Sequence, residues 1–170
     1  MPIPKKIENY LKEAGYKYEI VEHRTTYTAW DTAQTTQKQE KKIKPEEIVK
    51  ALAVKSGKDH FLALVPANKK LDKKKLLKTV NTQRKKDKIP AVKSIDLAKE
   101  AWMKKNLPGK VGATPAFRNL LGLDVYIDNI LAKQKNIYIG SGEYEFSIEV
   151  PTKQYLKTET PVKGSFSAKK

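Results

Sequence analysis

Two apolar runs, Ala51 to Lys55 and Phe61 to Pro66, flank the segment Ser56-Gly57-Lys58-Asp59-His60. Strand-forming runs around a short, polar, glycine-containing segment read as a β-hairpin. The first strand extends back to Ile48, and there it holds a charge. Period-2 alternation through Ile48-Val49-Lys50-Ala51-Leu52-Ala53-Val54 puts Lys50 on the face of Ile48, Leu52 and Val54, the face that turns toward a core. An ammonium buried there costs several kcal/mol of desolvation unless something polar or anionic meets it. Three arrangements would keep it: a structural ion pair, an end-of-strand position from which it snorkels to water, or a pocket that receives an anionic or carbonyl-bearing ligand.

A chain of 170 residues is most economically one domain, long enough to bury roughly two thirds of its unfolded surface in one core. The absence of cysteine rules out disulfides, thiolate catalysis and Cys-ligated zinc. With only His23 and His60 available, we expect no metal site, and nothing in the sequence asks for a cofactor. No apolar run approaches the ~18 residues that span a bilayer, so the expectation is a soluble, cytoplasmic protein that does not engage membranes.

The formal net charge is +16, and its distribution is uneven. Between Lys69 and Lys88 lie ten basic residues, among them Lys69, Lys70, Lys73, Lys74, Lys85 and Lys86, against Asp72 and Asp87. Half the net charge therefore sits in a short stretch, the electrostatic footprint of a polyanion partner bound by counterion release. The competing reading is a general lysine bias that solvates every helix face. The ratio of three Arg to 32 Lys favours it, because specific phosphate and base contacts lean on arginine.

Along the chain, Ile7, Tyr10, Leu11 and Ala14 mark a helical stripe that stops at Gly15, followed by a strand over 16–22. A second helix is expected from Thr28, and Pro45-Glu46-Glu47 suits a short helical turn. Asp72 caps a helix whose Leu71, Leu76, Leu77 and Val80 face inward and whose lysines form a ridge. Ser94 is placed to cap another, with Leu97, Ala98, Ala101 and Trp102 inward. Strands are expected over 123–128, 136–139 and 144–150, and a short helix over 151–156. We place the domain at 1–157 and read 158–170 as a loose basic tail. The whole is an α/β domain with a mixed sheet.

Two loops could carry chemistry. Gly109-Lys110-Val111-Gly112-Ala113-Thr114-Pro115 bends sharply and presents backbone N–H groups that can hold a carboxylate, a phosphate or a developing oxyanion, although such loops mostly just turn the chain. Ile139-Gly140-Ser141-Gly142-Glu143 reads first as a hairpin turn; it is neither a nucleophile elbow nor a phosphate loop. His23 reads as a hydrogen-bonded spacer before a base, and no spacing supports a triad with Ser141.

In this order the pieces resemble the YbaK/prolyl-tRNA synthetase editing-domain family. The resemblance runs from about Ile7 to Leu156. It rests on Val21-Glu22-His23 with Tyr27-Thr28-Ala29 and Ala33, on the Lys50 strand, on Leu64-Val65-Pro66-Ala67-Asn68 with Leu71-Asp72, on Gly112-Ala113-Thr114-Pro115-Ala116-Phe117 leading to Leu121-Gly122-Leu123, and on Asp128 with the closing strands. It implies a mixed, barrel-like sheet flanked by helices, with a pocket between the Lys50 strand and the glycine–proline loop. The activity implied is trans-editing: hydrolysis of the ester on mischarged tRNA, of tRNA(Pro) type, in association with a synthetase. A tRNA-binding adaptor without turnover and a small-molecule hydrolase remain open beside it. The resemblance gives Lys50 the critical role, with Gly112 and Ala113 beside it. Thr28, Thr114, Pro115, Ser141, Gly142 and His23 are pocket-lining candidates, and Lys69, Lys70, Lys73, Lys74, Lys85 and Lys86 are contacts for the tRNA backbone. A glycine or aspartate neighbourhood is common where Asn68 stands, and Phe-Gly where Ala116-Phe117 follow the loop.

Overall fold

The structure, a computed structural model, describes residues 3–22 and 43–170. The expected hairpin is its centre: β2 (Val49–Ser56) and β3 (Asp59–Pro66) pair antiparallel from Val49–Pro66 to Ser56–Asp59. Gly57 supplies the positive φ of +60° that the two-residue turn requires at its first position. On the outer side of β3, β6 (Val125–Asp128) and then β9 (Val162–Gly164) add in parallel, while β5 (Asp96–Leu97) adds antiparallel to β2. The sheet is thus mixed, in the order β5-β2-β3-β6-β9. A second, antiparallel sheet runs β1-β8-β7 (Glu19–Glu22, Phe146–Pro151, Asn136–Gly140), and β4 (Lys69–Leu71) pairs only with β10 (Ser167–Lys169). A parallel bridge from Ile48 to Tyr138 joins the two larger sheets, so the β-structure is in linked pieces without closing into a barrel.

β3 is buried on both faces, which explains its unbroken run Phe61-Leu62-Ala63-Leu64-Val65. Leu62 and Leu64 enter one core with Val49, Ala53, Ile137, Ile139, Ile148, Phe117 and the inner side of α1 (Lys5–Glu13). Phe61, Ala63 and Val65 enter the other, covered by Leu76 and Val80 of α2 (Lys73–Lys86) and by Phe166. Asp72 caps α2 as expected, accepting from Lys75 N at 3.1 Å, and the six lysines of α2 are exposed.

Two expectations fail for a physical reason. Ser94 caps nothing: its carbonyl accepts from Ser56 Oγ at 3.2 Å, Asp96 and Leu97 pair with β2, and α3 starts only at Glu100 (Glu100–Asn106). Leu97 and Ala101 are consequently exposed, and Trp102 stacks on His60 with ring centroids 3.8 Å apart. The supposed loose tail instead forms β9 and β10, with Phe166 fully buried between them. An apolar residue and strand partners distant in sequence outweigh its loop-like composition.

The remaining short helices are α4 (Arg118–Leu121), α5 (Asn129–Ala132) and α6 (Thr152–Glu159). Glu159, with no exposed surface, ties three elements together, accepting from Tyr10 OH at 2.6 Å, Tyr16 OH at 2.5 Å and Asn119 N at 2.9 Å. Burial, and then the neighbouring carboxylate, push both phenols well above the usual tyrosine range.

Candidate functional site

Lys50 lies near the start of β2, on the second-core face, and is half-buried. Its Nζ donates to the carbonyl of Lys69, the first residue of β4. Burial first, and the positive charge of Lys170 second, hold its pKa below the usual lysine value. Of the three arrangements that could keep a lysine here, the ion pair is not the one found among the described residues. The ammonium rests on one neutral acceptor, in a positive field.

The glycine loop docks on the turn between β7 and β8. Lys110 N donates to Gly142 O at 2.9 Å and Gly142 N to Ala113 O at 2.7 Å. The approach is possible only because glycines face each other: a Cβ on Gly109 would lie 2.4 Å from Gly142 Cα, and one on Gly140 would lie 2.6 Å from the carbonyl oxygens of Ala113 and Thr114. Gly112 takes φ +93°. Lys110 clamps the assembly from outside through Glu143 at 2.8 Å, and Tyr144 OH donates to Val111 O at 2.7 Å.

The bridge between Ile48 and Tyr138 brings this loop to Lys50. Those two residues share a cluster with Val21, Ile43 and Ala67. Two residues further on, the same face carries Lys50 on one strand and Gly140 on the other. That is the face of Gly140 against which the Ala113 and Thr114 carbonyls pack. The bridge thus sets the Lys50 strand beside β7, the strand that runs into the turn on which the glycine loop docks. Ala113 N–H closes onto Lys110 O at 3.0 Å and is no longer available as a donor, whereas the exposed Gly112 N–H has no backbone acceptor among the described residues. Thr114 and Pro115 are buried beside it.

The model of the aminoacyl-tRNA editing domain matches residues 23–158, most of the chain. The protein belongs to that family. No curated protein matches the chain. Two solved structures share the fold of this editing domain. The hypothetical protein APE2540 is 20% identical with a TM-score of 0.76, over 96% of this chain and 99% of the other. A candidate trans-editing enzyme for prolyl tRNA synthetase is 19% identical with a TM-score of 0.72, over 100% of this chain and 98% of the other.

Other expected site residues of the editing domain fall differently. Ser141 is fully buried, and its hydroxyl lies 2.6 Å from Phe146 O and 3.1 Å from Glu143 O, accepting in turn from Glu143 N at 3.2 Å. It locks its own turn, and we do not carry it forward as a pocket residue. Gly142 belongs to the loop contact. His23 and Thr28 lie outside the described residues. Lys70, Lys73, Lys74, Lys85 and Lys86 are exposed, whereas Lys69 is half-buried and enters the site through its backbone. Asn68 was the residue least valued in sequence. Its Nδ2 donates to Glu46 Oε1 at 3.0 Å, which fixes the amide orientation and leaves a buried Oδ1 without a hydrogen-bond partner, next in the chain to Lys69. Only its departure from the commoner pattern marked it beforehand. Among the described residues no cluster of His, Cys, Asp and Glu could hold a metal ion, and no helix is long and apolar enough to cross a membrane.

Proposed function

We propose that this editing domain is a trans-acting deacylase that hydrolyses the ester of mischarged tRNA. The observation that carries the reading is the half-buried Lys50 ammonium, held by one backbone carbonyl with no carboxylate partner among the described residues, on the strand that bridges to β7 and so to the turn bearing the glycine loop. A buried cation left in this state is complementary to an anion that arrives with the substrate or forms during reaction.

An aminoacyl ester is already activated, so its hydrolysis needs a placed water, a stabiliser for the oxyanion and fixed geometry. Water adds to the ester carbonyl carbon and gives a tetrahedral oxyanion. Collapse breaks the bond to the ribose oxygen, which takes up a proton, and releases the free amino acid and tRNA. We assign charge stabilisation to Lys50 and a backbone donor role to Gly112, with Ala113, Thr114 and Pro115 shaping the wall. The ribose hydroxyl beside the ester orients the water. We assign the acceptor for the substrate's ammonium group to Asn68 Oδ1, a buried oxygen with no hydrogen-bond partner among the described residues.

The exposed lysines of α2, with Lys70, receive the tRNA backbone and contribute affinity more than sequence discrimination. The likeness in fold to a candidate trans-editing enzyme for prolyl tRNA synthetase supports a tRNA(Pro)-type substrate and association with a synthetase. The test is a panel of mischarged tRNAs assayed for ester loss. Wild type should deacylate at least one and Lys50→Ala should not. Binding without hydrolysis by either would establish an adaptor, and turnover of free esters without salt dependence would establish a small-molecule hydrolase.

A further inference from the structure

The ammonium of Lys50 is placed by the backbone of β4, and among the described residues the strand that pairs with β4 is β10. The position of the Lys69 carbonyl therefore depends on a segment remote in sequence. That segment is firmly anchored. Asp128, with 1% of its surface exposed, accepts from Phe166 N at 2.9 Å and Ser167 N at 3.0 Å through Oδ1. Its Oδ2 accepts from Ser167 Oγ and from Ile130 N, both at 3.1 Å. Phe166 fills the core under α2, and its carbonyl accepts from Asp72 N at 2.7 Å. The pairs Ser167–Leu71, Ala168–Lys70 and Lys169–Lys69 complete the ladder.

We propose that β10, fastened by Asp128, is a positioning element of the Lys50 site: it fixes β4 so that the Lys69 carbonyl holds the ammonium facing the glycine loop. This rests on the deacylase reading above. Lys50 is the group that meets the substrate, and β10 acts only through it.

Since Asp72 N–H donates to Phe166 O, the alternation of an antiparallel ladder makes Ala168 and Lys70 the next pair to exchange hydrogen bonds. Ala168→Pro deletes the donor of that pair and touches neither substrate nor Lys50. In the full chain we expect Ala168→Pro to lower kcat for deacylation at least tenfold with KM within twofold, and Ala168→Val, which keeps the N–H, to behave as wild type. The Lys50 ε-methylene NMR signal should move in the proline variant and stay in the valine variant. In the Lys50→Ala background Ala168→Pro should cause no further loss, because its route is already cut. An additive loss, or an unmoved Lys50 signal, would overturn the proposal by showing a general structural role. Should Lys50→Ala itself leave deacylation intact, the role of Lys50 fails first, and should neither protein deacylate, the deacylase reading does. The NMR signal still decides, without turnover, whether β10 sets the lysine. If Ala168→Pro does not fold, Ser167→Ala, which removes the Ser167 hydroxyl contact to Asp128 Oδ2, gives the same readouts at smaller amplitude.

Discussion

Replacing Lys50 by methionine should separate activity from stability in a way few core substitutions do. Methionine keeps the apolar stem and removes only the charge. On the stability side, the lost hydrogen bond to the Lys69 carbonyl is worth about 1.5–3 kcal/mol, as bonds from charged donors are. Against it stands the desolvation of a half-buried ammonium repelled by Lys170, on the order of 1 kcal/mol once discounted for the solvent on its exposed side. The two partly cancel, and a residual of about 1 kcal/mol in a chain of this size moves Tm by roughly 2–4 °C. On the activity side nothing cancels. Loss of a preorganised charge stabiliser costs about 10²–10³ in kcat, or about 2.7–4 kcal/mol of transition-state binding. Single-turnover deacylation of a mischarged tRNA, run beside thermal denaturation, measures both. A variant that retains activity, or one that loses it in proportion to a collapse in Tm, would refute the reasoning.

Deacylation, corrected for spontaneous ester hydrolysis, should decline on the alkaline side at a pH below that of an ordinary lysine, because Lys50 titrates early. The same shift means that the unfolded chain binds the proton more readily than the folded one. Lys50 therefore destabilises the fold below its lowered pKa, and the penalty lifts as pH rises toward the usual lysine value; a titration of stability against Lys50→Met shows it. Gly140→Ala would drive a Cβ into the Ala113 and Thr114 carbonyls, so activity should fall more than tenfold while tRNA binding, followed by filter retention, is kept. Glu159→Leu strands the Tyr10 and Tyr16 hydroxyls and the Asn119 N–H, costing roughly 3 kcal/mol or more and lowering Tm by about 6–12 °C. Charge reversal at Lys73, Lys74, Lys85 and Lys86 should weaken tRNA binding across sequences and flatten the log–log salt dependence by about one unit per lost phosphate contact.

What could be read in sequence was what adjacent residues decide. The hairpin follows from two apolar runs and Gly57, the cap on α2 from Asp72 three residues before Lys75 N, and the face of Lys50 from strand alternation. The mixed α/β class follows from the same local signals. Where the outcome depends on partners far along the chain, composition misled. Ser94 looks like a cap, yet the residues after it are drawn into a strand by the free edge of β2. Residues 162–169 look like a tail until β6, β4 and Asp128 supply their partners. The candidate site divides in the same way. Lys50 and the glycine loop are visible as chemistry out of place, and the Gly112 N–H has no backbone acceptor among the described residues. The loss of Ala113 as a donor, the self-contained Ser141 turn and the acceptor beneath Lys50 are backbone hydrogen bonds that no residue identity announces.

The contact of Gly109 with Gly142, and of Gly140 with the Ala113–Thr114 backbone, is built from main chain alone. Such a contact offers natural variation almost nothing to work with, since nearly every single replacement there adds atoms where none fit. Any change of shape beside this contact has therefore to come from other elements, with the main-chain face held as a fixed mould.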